Sequence, residues 1–131
     1  MARAGGLISD RQIDRLRRAE PELAARVNAI FDDVDVVLTP GTSTGPPPVG
    51  AYRQRGALST LNGAALRRSP FVAIFNATGQ PAGVVPWGVD GDGLPRSVQL
   101  VERPFDQATL LALSTQIEAE RPWADHRPLG L

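Results

Sequence analysis

Apolar positions recur along the start of the chain at spacings of three, four and seven: Ile13, Leu16, Leu23, Val27 and Ile30. That period predicts an amphipathic helix, and Ser9 with Gln12 has the spacing of a capping box at its entry. Asp10, Arg11, Asp14, Arg15, Arg17 and Arg18 crowd the opposite side, as expected of a solvated face. Pro21 interrupts the stripe, and two arrangements satisfy it: a second helix with Pro21 in its first turn, or one helix kinked there. The pattern then changes. Val34-Asp35-Val36-Val37-Leu38-Thr39 is rich in β-branched residues and stops at Pro40, which predicts a short, mostly buried strand. Four prolines and three glycines fill residues 40–50, so that stretch reads as a stiff loop. A polyproline docking motif at Pro46–Pro48 lacks a flanking basic anchor.

Leu58, Leu61, Ala65 and Leu66 suggest a loose amphipathic helix, weakened by Gly56 and Gly63. Ser69-Pro70 reads as an N-cap followed by a first-turn proline. Phe71, Ile74 and Phe75 then share one helical face, and Gly79 supplies a left-handed stop; a strand through 71–75 is the competing reading. Ala82–Pro86 and Ser97–Val101 read as strands. The turn Asp90-Gly91-Asp92-Gly93 between them predicts a hairpin. Asp106 caps a last helix whose buried side carries Leu110, Leu113 and Ile117, closed by Pro122. No internal repeat or domain boundary is visible, so residues 1–131 are expected to form a single domain.

Composition narrows the chemistry. The 14 basic residues balance 14 acidic ones, which removes long-range steering toward nucleic acid or anionic lipid. Every basic residue is arginine; lysine and cysteine are absent, and His126 is the single histidine. Disulfides, thiolate catalysis and Cys-based zinc sites are therefore excluded, and a Ser-His-Asp triad has almost nothing to work with. Asp90 and Asp92 resemble the opening of a calcium loop, but the sixth position is Pro95 rather than glycine. Ser9, Ser59, Ser69 and Ser114 sit at helical or capping positions, none in a nucleophile elbow. Glu118 and Glu120, two apart on a helix, fall on different sides and cannot act as an acid/base pair. No apolar run has the length of a signal peptide or a membrane span, so a cytoplasmic chain is expected. From the residues alone, no catalytic, cofactor-binding or metal position is assigned.

Phe75-Asn76-Ala77-Thr78-Gly79-Gln80-Pro81-Ala82, Val85-Pro86-Trp87-Gly88, Gly93-Leu94-Pro95 and Val98-Gln99-Leu100-Val101 follow one another in close order. Together with Arg103-Pro104-Phe105-Asp106, and upstream Phe31 and Asp35-Val36-Val37-Leu38-Thr39-Pro40, they resemble the C-terminal part of amidase-signature family enzymes. The resemblance implies an α/β fold: a partial mixed β-sheet with flanking helices, the C-terminal portion of a larger domain. It also implies hydrolysis of carbon–nitrogen amide bonds by a Ser–Ser–Lys triad, with an oxyanion hole, in a Gly/Ser-rich region N-terminal to everything in this sequence. No catalytic residue carries over, since the sequence has no lysine. Gln99 is expected to satisfy polar groups beside the sheet. Glu102 departs from the family, where glycine is more usual, and its charge is expected to point to solvent.

Three functional readings follow. The first is a fragment of an amidase, inactive alone, arising by an internal start, a frameshift or gene decay. The second is a structural subunit of a split amidase, completed by a separately encoded N-terminal half, with the proline-rich loop lining the substrate pocket. The third is an independent non-catalytic binding module. The partners these readings allow are that N-terminal half and a second copy of the chain; nucleic acid and membrane are not among them, and no cofactor is implied.

Overall fold

The structure, a computed structural model, describes residues 9–53, 56–60 and 66–124. Helix α1 spans Asp10–Asn28 and passes into a 3-10 turn at Ala29–Asp32. Strand β1 is Val36–Pro40. Beyond the proline-rich loop come two short helical turns, α2 (Ala57–Thr60) and α3 (Leu66–Arg68), and then α4 (Val72–Thr78). Strands β2 (Ala82–Val89) and β3 (Pro95–Glu102) form a hairpin, and α5 (Gln107–Glu120) follows. The sheet order is β1-β3-β2 with both pairings antiparallel. The expected α/β class holds.

Strand β3 is central, and the register explains why its sequence is apolar on successive residues. Leu100 lies opposite Leu38 and Gly83, whereas Val101 lies opposite Val37 and Ala82. Side chains alternate across a strand, so the two residues face different layers. On one side Val101 and Val37 meet Val27, Phe31 and Phe75 from α1, the 3-10 turn and α4. On the other, Leu100 and Val85 meet Leu110 of α5, with Leu113, Ile117 and Trp123 packed around them. A strand buried on both faces is apolar almost throughout.

Local signals account for most boundaries. Gln12 Oε1 accepts the Ser9 backbone N–H at 2.9 Å and the Ser9 hydroxyl at 3.1 Å. Helix α1 is a single helix that contains Pro21. Every residue from 9 to 23 is exposed, so water can take the carbonyl that a proline leaves without an N–H partner. Helix α4 forms where a strand was the competing reading, but it begins at Val72 with Phe71 as its N-cap. Ser69 contributes only its carbonyl, accepting the Val72 N–H at 3.3 Å. Residues 61–65 of the expected 58–66 helix lie outside the described residues. Asp106 caps α5 as anticipated, its carboxylate accepting the Thr109 N–H at 3.2 Å.

Helix α4 ends at Gly79, whose φ of 81° lies in the left-handed region, with its N–H bonded to the Phe75 carbonyl at 2.9 Å. A Cβ there would meet nothing within 4 Å, so the cost of Gly79→Ala is purely conformational. Urea denaturation is expected to show a loss of about 1–2 kcal/mol, the left-handed penalty of an L-residue.

Candidate functional site

Asp90, the strongest metal-ligand candidate in the sequence, is fully engaged by its own turn. Its Oδ1 accepts the Asp92 N–H at 3.0 Å and the Leu94 N–H at 2.9 Å, and Oδ2 pairs with Arg96 at 2.8 Å. The Leu94 N–H, helped by the Asp92 N–H and the Arg96 guanidinium, holds this carboxyl below the usual carboxylate range. That is the geometry of an Asx turn closing a hairpin. Among the described residues no three His, Cys, Asp or Glu side chains are placed to hold a metal.

The other candidates are equally dispersed. His126 lies outside the described residues. Ser9 stands at the entry of α1, Ser59 lies on α2 and Ser69 precedes α4. Ser114 donates to the Leu110 carbonyl at 2.8 Å within α5. Glu118 and Glu120 are exposed on α5. Among the described residues the structure brings none of these together.

The family-like motif residues instead build architecture. Gln80 Nε2 donates to Asn28 Oδ1 at 2.6 Å, and the Thr78 hydroxyl bonds to Gln80 Oε1. This buried contact ties the end of α1 to the exit of α4. The proline-rich loop is pinned to α3: Arg68 Nε donates to the Tyr52 hydroxyl at 2.9 Å and its Nη1 to the Gly45 carbonyl at 2.5 Å. The Ser43 N–H donates to the Arg68 carbonyl at 2.8 Å.

Two polar residues behave otherwise than the sequence led us to expect. Gln99 is buried, and its Nε2 has no hydrogen-bond partner among the described residues. Glu102 does not point to solvent: it is 0% exposed, and neither carboxylate oxygen has a hydrogen-bond partner among the described residues. The reason is positional. Glu102 ends β3 opposite Val36, on the Leu100 face of the sheet, and the chain turns at once into α5. Burial pushes its carboxyl above the usual range; Asp106 and Asp35 act in the same direction and Arg103 opposes them.

What remains open is apolar surface. Much of the α1 stripe, expected in the core, lies outside it: Leu16 is 69% exposed, and Val27 is the buried residue of the helix. Ile13, Leu16 and Leu23 line a groove of about 800 Å³ with Asn76 and Ala77 of α4. The two sheet edges differ. On β2, Pro86 lacks an N–H, and the register slips between Pro86 and Gly88, whose φ is 122°. Proline and a bulge are the devices of a natural edge strand. Edge strand β1 carries neither within Val36–Thr39, and Leu38 there is 58% exposed.

Residues 5–111 match the family model described as Amidase. The chain belongs to the amidase family. It is 59% identical over 128 residues to AmiB2 of Mycobacterium tuberculosis, covering 98% of this chain and 28% of that protein. It is 36% identical over 126 residues to AmiA2 of the same organism, covering 96% of this chain and 26% of that protein. Among solved structures, 6-aminohexanoate cyclic dimer hydrolase superposes with a TM-score of 0.79 at 26% identity, over 95% of this chain and 27% of that one. The chain thus spans little more than a quarter of the AmiB2 length, and the part it matches is the C-terminal part of these amidases.

Proposed function

We propose that this chain is the C-terminal structural portion of an amidase whose Ser–Ser–Lys machinery lies outside the sequence, and that by itself it hydrolyses no amide bond. One observation carries this: near-complete matching of the chain to only 28% of a relative's length, in a sequence without lysine. In this reading residues 1–131 are one partial domain, located in the cytoplasm; among the described residues no helix is long and apolar enough to cross a membrane. The test is an amide-hydrolysis assay on the purified chain. No turnover is expected, and turnover that survives repurification overturns the proposal.

Among the described residues the α1 groove is uncovered and the outer edge of β1 is unpaired, which favours a second reading, a split enzyme in which an N-terminal amidase half covers both. Apolar grooves and open strand edges are unfavourable in an isolated module, so they count against the independent binding module. Mixing the chain with an N-terminal amidase portion that ends where this match begins is expected to yield a complex on gel filtration and amide hydrolysis. Separate elution of the two polypeptides sinks the split-enzyme reading and leaves the fragment reading intact.

A further inference from the structure

A carboxyl group sealed from water with both oxygens unbonded has a narrow choice of states. Ionised, it must be paired, or it draws water in; neutral, it tolerates the site at the cost of its missing hydrogen bonds. Glu102 is 0% exposed and lacks a hydrogen-bond partner on either oxygen among the described residues. Its own N–H is used, donating to the Pro81 carbonyl at 3.1 Å in the segment that leads into β2.

Among the described residues no charged group forms an ion pair with it, and the opposing pull of Arg103 is outweighed by burial. Asp35 precedes β1 and is itself engaged by Arg103, with Nη2 and Oδ1 3.3 Å apart on an exposed surface. Arg103, the residue after Glu102, thus faces outward to Asp35. Asp106, from the cap of α5, adds a like charge. The Asp106 carbonyl also accepts the Leu110 N–H at 3.4 Å, and Leu110 seals the Leu100 face of the sheet. Glu102 therefore sits at the seam on which the docking of α5 depends.

We propose that Glu102 is a proton-operated latch: neutral, it lets the seam between β3 and the start of α5 close; ionised, it forces that seam open to water. The sign follows from the raised folded-state pKa. The contribution to stability is fully present below the unfolded-chain value and is lost as pH rises through the folded one. The chain is thus held more tightly on acidification, the reverse of a salt-bridged carboxylate.

The test compares the native chain with Glu102→Gln and Glu102→Leu by urea denaturation between about pH 8 and about pH 5. Relative to both variants, the native midpoint is expected to move to higher urea as pH falls. Hydrogen exchange at Thr109 and Leu110, corrected for intrinsic rates, is expected to show protection that grows on acidification in the native chain alone. Three results overturn the proposal: parallel pH profiles for native chain and variants, exchange at Thr109 and Leu110 with the same pH dependence in all three, or no cooperative transition of the native chain at any pH.

Discussion

Leu100→Ala is expected to cost about 2–5 kcal/mol, the range for truncating a fully buried leucine in a core that cannot collapse around the gap. Leu100 is 0% exposed on the central strand, held between Val85 and Leu110. Its cross-strand neighbour on β2 is Gly83, which has no side chain to move into the space. The Leu110 side chain already fills the ground above Gly83, with its Cγ and both Cδ atoms 3.6–3.7 Å from where a Cβ would sit. A domain has roughly 5–15 kcal/mol of net stability, so this one truncation removes a large share. Leu111→Ala, one residue along α5 from Leu110 and 66% exposed, is the control, expected to stay within about 0.5 kcal/mol. Urea denaturation of the three chains decides it. A Leu100→Ala loss no larger than that of Leu111→Ala would mean that α5 does not pack on β3 as described.

The sequence carried the local grammar of this fold well. The Asp90–Leu94 turn, the Gly79 stop and the Asp106 cap each depend on a backbone geometry that few residue types satisfy, and each stands where it was expected. Position relative to a distant layer was harder to read. The α1 stripe has a true helical period, but a period shows that a face is apolar and not what covers it; here only Val27, near its C-terminal end, joins the buried cluster with Phe31 and Phe75. The Ser69-Pro70 pair looked like a cap because the residue types fit, while the helix waits for Val72. Glu102 was misread for the same reason as the stripe. A charged residue at a strand end is exposed by default, and nothing local announces that the next turn folds a helix back over it. As for the site, absence of lysine was legible from composition alone, whereas the role of the motif residues as ties between α1, α4 and the sheet needed the distances.

Leu38→Asp is expected to leave this chain folded and to abolish its assembly with an N-terminal amidase half, on the proposed split-enzyme reading. In the chain alone Leu38 is 58% exposed, so a charge there meets water and stability should change by no more than about 0.5 kcal/mol. In the assembly the same position lies on the open edge strand, beside Leu100 in register. A partner strand or helix laid there would bury the new carboxylate unpaired, and an uncompensated buried charge costs about 3–5 kcal/mol. That loss weakens association by a factor of about one hundred to a few thousand, tenfold for every 1.4 kcal/mol. Val84→Asp supplies the contrast. Val84 is equally open at 57%, but it sits on β2, where Pro86 and the bulge before Gly88 disfavour a further strand. Gel filtration of each variant mixed with the N-terminal half should show Val84→Asp in complex and Leu38→Asp eluting apart. If Val84→Asp is the variant that fails, the sheet is extended at its β2 edge, and proline and bulge do not mark the outer boundary of this fold.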